Sequence, residues 1–125
     1  MKSPWKSSAP LDPAADYLVL ASLIPPRSRR STWRLFQGSR SVGKQLKGAE
    51  GLIGFSLLAR PIRKQYATLS VWRNEAALSA FSAGEPHRQL MRDLAPEMGP
   101  TKFVRWEISG ASGRPSWTDA LDRLA

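Results

Sequence analysis

Ala67–Leu94, ATLSVWRNEAALSAFSAGEPHRQLMRDL, decides the fold. It opens as a strand that ends in Trp72. Asn74 follows, and its short side-chain oxygen suits the unpaired N–H groups at a helix start. Glu75 is well placed near the positive helix end. Leu78 and Phe81 supply the first apolar contacts of this helix. Gly84 stops it, and Pro86 fits the first position of a new turn, where its missing N–H costs nothing. His87, Leu90, Met91 and Leu94 then fall at i, i+3, i+4 and i+7 and share one helix face. The only histidine of the chain therefore points where the leucines point.

Outward from this stretch, short apolar runs mark the other strands. Tyr17–Ile24 is β-rich and closed by Pro25-Pro26. Its continuation, PPRSRRST, is a loop whose hydroxyls can cap a helix, expected from about Trp33 to Lys47. Leu35, Ser39, Val42 and Leu46 form one stripe of that helix, with Phe36 beside it. Leu52–Ala59 and Gln65–Arg73 are two strands joined by the basic link RPIRK, short enough to force antiparallel pairing. Lys102–Ser109 is the last strand, and Ser116 caps a terminal helix carrying Leu121 and Leu124. Residues 1–15 hold three prolines and no periodicity, and read as a flexible tail ahead of one domain spanning 16–125. Trp5 is the exception, an aromatic that packs on the domain or on a partner chain.

The order of strand, helix, strand, strand, helix, strand and terminal helix is the ferredoxin-like α+β plan. Two helices cover one face of such a sheet. Yet the first strand is apolar at both parities, with Tyr17, Val19 and Leu23 on one side and Leu18, Leu20 and Ile24 on the other. The second strand sets Leu52 and Leu58 against Ile53, Phe55 and Leu57. A sheet with one wet face should alternate cleanly. The second face is therefore expected to be buried, most simply against another copy of the chain.

Composition narrows the chemistry. With no cysteine there is no disulfide and no thiolate ligand or nucleophile. No apolar run reaches the ~18 residues of a membrane span, and no secretion signal opens the chain, so the protein reads as soluble and cytoplasmic with no membrane partner. Net charge is +9. Between Tyr17 and Asn74 stand eleven Lys and Arg against one acid, Glu50. Such an excess attracts nucleic acid, anionic membrane or small anions, or it is a solvated helix face.

His87 is the leading candidate for chemistry, as an acid–base group or ligand to iron; as a core side chain it would bond to backbone. A single histidine cannot build a multi-histidine zinc site. Trp72, Trp33, Phe36, Phe81 and Trp106 could line an aromatic cavity or be ordinary core. Tyr66, Thr68, Ser70 and Trp72 share one strand face, polar enough to suggest a hydroxyl-lined cavity or an exposed edge. Arg105 sits inside an apolar strand beside Trp106, so its charge needs a partner, either Glu107 on the same face or a substrate oxyanion. GSRSVGK lacks the spacing of a phosphate-binding loop.

GLIGFSLLARP, LSVWRNEAALSAF, PHRQLM and FVRWEISGASGRPSWTDALDRL resemble, in order and spacing, the dimeric α+β barrel superfamily of antibiotic-biosynthesis-monooxygenase-like proteins and a related bacterial family. The resemblance covers roughly residues 16 to 124. It implies a homodimer with a cavity between sheet and helices in each subunit. Members include cofactor-free quinone-forming monooxygenases and haem-degrading oxygenases. The haem-degrading branch pairs a strand Asn, a strand-ending Trp and a helix His. Trp72 matches the Trp, Ala21 or Ser22 stands in place of the Asn, and His87 comes late, after Gly84-Glu85-Pro86. The implied function is a monooxygenase-like oxidoreductase, cofactor-free or haem-dependent. It would act on an apolar or aromatic molecule held by Trp72, Trp33, Phe36, Ser70, Phe81 and Trp106, with His87 and Arg105 catalytic. The alternatives are a non-catalytic homodimer that binds a polyanion, nucleic acid or another ligand, and a haem-binding or haem-degrading protein with His87 on the iron.

Overall fold

A computed structural model describes residues 2–60 and 63–125. Its strands are β1 (Lys6–Ser7), β2 (Asp16–Ile24), β3 (Leu52–Arg60), β4 (Gln65–Trp72) and β5 (Lys102–Ser109). Its helices are α1 (Arg29–Lys47), α2 (Glu75–Ala83), α3 (His87–Leu94) and α4 (Trp117–Leu124). The strands form one antiparallel sheet in the order β1-β3-β4-β2-β5. Without β1 this is the ferredoxin-like arrangement expected from the element order. Pro61 and Ile62, in the expected basic link, lie outside the described residues.

The caps follow the local chemistry. Asn74 Oδ1 accepts from Ala77 N at 2.9 Å, and Ser116 Oγ accepts from Asp119 N at 3.1 Å. The first helix begins earlier than the Trp33 expected from its apolar stripe. Ser28 Oγ accepts from Ser31 N at 3.1 Å, so the helix is capped one turn upstream and runs from Arg29. The expected hydroxyl cap is present, but it comes from the first serine of the loop. Ser31 becomes a buried residue of the first turn.

A bulge in β3 changes which side chains share a face. Leu52 pairs with Trp72 and Gly54 with Val71, leaving Ile53 as the extra residue. Strict alternation groups Leu52 with Leu58 and Ile53 with Phe55. With the bulge, Leu52 and Phe55 pack under the helices while Ile53 packs on the opposite side. An inserted residue shifts every later side chain to the other face.

The second face is buried, as its double parity required, but the chain covers this face itself. Residues 2–15 and α4 lie across Tyr17, Val19, Ala21, Ile53, Leu69 and Val71. The segment expected as a flexible tail is docked along β3: Ser3 N donates to Leu57 O at 2.8 Å, and Ser8 N to Ile53 O at 2.8 Å. Trp5 settles on Gly54, where a Cβ would stand 2.6 Å from the indole. The arm and α4 converge on Ser56, whose Oγ donates to Ser3 O at 2.8 Å and accepts from Trp117 Nε1 at 3.0 Å. Composition signals a tail because the prolines and short strand lack periodicity. The cover depends on contacts with a sheet formed dozens of residues later.

Candidate functional site

Between the sheet and α1–α3 lies a cavity of about 470 Å³. Its floor is the helix-side face of the two central strands, Leu20, Ser22 and Ile24 on β2 and Tyr66, Thr68, Ser70 and Trp72 on β4. Its roof comes from the inward faces of α1, α2 and α3, including Val42, Leu78 and Leu90. The four-residue face that read as too polar for a core is therefore the cavity floor, and not an exposed edge, because β4 is central in the sheet.

Every polar group on that floor has a partner. Ser22 and Thr68 hydroxyls bond to each other across β2 and β4. Trp72 Nε1 donates to Ser70 Oγ at 2.8 Å. Tyr66 Oη and Ser39 Oγ are 2.7 Å apart, and Ser39 Oγ also donates to Leu35 O at 2.7 Å. With its own proton so placed, Ser39 accepts from the Tyr66 phenol. Ser39 falls in the apolar stripe of α1, and a lone hydroxyl there is the signal for this bond. Burial raises the Tyr66 pKa above the usual 10.0. The phenol remains a neutral donor at physiological pH.

That shift carries a sign for stability. The unfolded phenol ionises before the folded one, so Tyr66 contributes its full stability below the unfolded value near 10 and loses it as pH rises through the folded value. Melting temperature should fall more steeply above about pH 10 in the native chain than in Tyr66→Phe. Parallel curves would remove Tyr66 as the cause.

His87 stands at the roof, where α2 gives way to α3. Gln45 of α1 fixes this corner. Its Nε2 donates to Phe81 O at 3.1 Å and its Oε1 accepts from His87 N at 3.0 Å. No sequence pattern singled out Gln45. The imidazole packs 5.1 Å from the Phe81 ring, which in turn lies 5.2 Å from Trp72. His87 Nδ1 is 3.2 Å from Ser82 O. A carbonyl only accepts, so the neutral ring carries its proton on Nδ1 and keeps the Nε2 lone pair free.

Of the candidates, the structure brings His87, Trp72, Ser70 and Phe81 to the cavity. It places the rest elsewhere. Phe36 packs edge-on against Tyr66 at 6.3 Å, behind the lining. Trp33 is 63% exposed on the outside of α1. Trp106 is on the opposite sheet face, under the Arg123 guanidinium at 4.4 Å. Arg105 does not pair with Glu107 and does not enter the cavity. Its Nη1 meets Glu75 Oε1 at 2.6 Å, both exposed. The strand reading placed Arg105 inside an apolar run, but β5 is an edge strand whose helix side no helix covers, so its charge remains in water.

Among the described residues no Asp, Glu, Lys or Arg lines the cavity, so its ligand chemistry is that of neutral, largely apolar molecules. Among the described residues the cavity lining itself holds no cation for the two propionates of a haem.

No protein-family model and no curated protein matches the chain. Solved structures do, at low identity. A candidate monooxygenase from Fusobacterium nucleatum superposes with a TM-score of 0.72 at 8% identity, over 84% of this chain and 48% of that one. A mutant form of SnoaB, a cofactor-independent oxygenase from Streptomyces nogalater, gives 0.59 at 13%, over 74% and 92%. A dimeric ferredoxin-like protein of unknown function from Jannaschia gives 0.65 at 17%, over 74% and 99%. The chain shares with these structures the ferredoxin-like α+β fold. At these identities the likeness concerns architecture, and fold does not name a reaction. The chain spans about half the length of the Fusobacterium protein. Among the described residues no helix is long and apolar enough to cross a membrane.

Proposed function

We propose that the protein is a cytoplasmic, monooxygenase-like enzyme acting on a neutral, planar, phenolic molecule held in the cavity, and a homodimer as the dimeric Jannaschia neighbour is. The uncharged lining, apolar but for a line of hydroxyls and one imidazole, carries this reading. A flat ring system lies on the β2–β4 floor against the Trp72–Phe81 pair that closes one end of the cavity. His87 Nε2 takes the proton of a phenol or of an activated C–H. The electron-rich anion left behind reduces dioxygen, which inserts one oxygen atom and leaves as water with the other. Ser70, the Ser22–Thr68 pair and Tyr66 meet the substrate oxygens. Ser70, which accepts from Trp72 Nε1 and keeps its own O–H, takes the oxyanion-stabilising part that Arg105 does not reach, because a neutral hydroxyl donates without the cost of a buried charge.

Oxygen uptake with a panel of tricyclic phenols tests this. The native chain should consume oxygen, and His87→Ala should lose about 10²-fold or more in kcat. Quenching of tryptophan fluorescence should show ligand still bound in that variant. No uptake together with no thermal shift across the panel would sink the reading. A Soret band on adding haemin, lost in His87→Ala, would move it to haem chemistry.

A further inference from the structure

The basic residues that crowd the first half of the sequence gather at one end of the molecule. At this end β2 and β3 finish and β4 and β5 begin. Arg27, Arg29, Arg30 and Arg34 stand on the link into α1 and its first turns. Arg60, Arg63 and Lys64 surround the β3–β4 turn. Lys102 opens β5. The carboxylates toward this end are Glu97, paired with Arg34, and Asp93, which accepts both its bonds from Gln89 of the same helix. Among the described residues none of the other cations here has an acidic partner.

A second observation points to the same end. Trp33 and Phe103, exposed by 63% and 66%, are the large hydrophobic side chains left in water among the described residues. Trp33 is one turn into α1, between Arg30 and Arg34. Phe103 follows Lys102 and also lines the cavity, so it marks a mouth. Leaving two aromatics in water costs free energy unless something apolar receives them.

From this combination we infer that this end docks on an anionic lipid bilayer. Arginines meet the headgroups, Trp33 and Phe103 sit at the headgroup level, and the cavity mouth faces the lipid. Aromatic rings with an apolar body favour that depth, and each basic residue near an anionic surface strengthens binding by about fivefold. Nucleic acid would use the charge but would leave an apolar mouth beside it without purpose. The surface stands on its own charge and exposure. Its delivery of an apolar ligand into the cavity rests on the function proposed above. Docking of this kind needs neither a spanning segment nor a secretion signal, the two features whose absence pointed away from a membrane partner.

Flotation of the full chain with vesicles tests the docking. It should bind vesicles holding about a third phosphatidylglycerol and leave neutral phosphatidylcholine vesicles. Arg29→Gln with Arg30→Gln should weaken partition by about 25-fold. Trp33→Ser should weaken it further and remove the blue shift of tryptophan emission on binding. These residues are exposed, and unchanged melting curves would confirm intact variants. Equal binding to both vesicle types, no effect of the variants, or tighter binding to a duplex oligonucleotide at the same salt would each overturn the proposal. Phenol binding measured in the same variants separates the two readings. Lost vesicle binding with unchanged phenol binding supports a separate docking surface, and vesicle binding without any phenol binding removes the delivery role alone.

Discussion

Trp72→Ala should destabilise the protein by about 3–5 kcal/mol, lowering the melting temperature by more than about 10 °C. Trp72 is 1% exposed and closes one end of the cavity, where its ring packs on Phe81. Truncation removes that packing and enlarges a space that already measures about 470 Å³, so the walls have little left to collapse onto. It also strips Ser70 Oγ of the indole N–H that it accepts at 2.8 Å. Phenol binding should fall with stability, since the same ring forms the aromatic wall. The informative control is Trp33→Ala, the same substitution at a site 63% exposed, which should fall within about 0.5 kcal/mol of the native chain. Urea melts of both variants check the pair. Equal losses would mean that Trp72 is not a cavity wall.

The second large effect concerns the N-terminal arm. Trp5→Ala should cost about 2 kcal/mol, because the indole is half-buried on β3 and holds residues 2–15 over the second sheet face. Gly54→Val approaches the same contact from beneath. A Cβ at Gly54 would stand 2.6 Å from the indole, so valine displaces it at a cost of about 1–3 kcal/mol. Both changes remove one interaction, so the double variant should cost about as much as the larger single one. Limited proteolysis should cut the arm ahead of Asp16 in either variant and spare it in the native chain. A fully additive double variant would show that Trp5 and Gly54 act separately.

Much of the architecture was legible because it depends on local signals. Asn74 and Ser116 are caps by their own side-chain chemistry, and period-two and period-3.6 patterns placed the main strands and helices. The β4 face of Tyr66, Thr68, Ser70 and Trp72 was legible too, since alternate residues on a strand must share a side. His87 was placed toward the helices' inner face by the spacing of Leu90, Met91 and Leu94, and the cavity lining includes it.

What escaped the sequence shares one cause. Arg105 looked buried because its strand is apolar, but exposure depends on whether a helix covers that strand, and β5 lies at the sheet edge. Trp33 and Trp106 have the same composition signal as Trp72, yet one faces water and the other the opposite sheet face. The β3 bulge at Ile53 leaves no mark in hydropathy, and it reassigns Leu52 and Phe55.

The sequence by itself determined the element order, the helix caps, the double burial of the sheet and the polar strip on β4, because each follows from neighbours within a turn or a pleat. Only the tertiary structure decided what covers the second face, which aromatics reach the cavity, that Arg105 stays outside it, and that the scattered arginines meet Trp33 and Phe103 at one end. These are contacts between residues far apart in the chain. Their existence depends on strand order, edge position and one inserted residue, none of which a local pattern encodes.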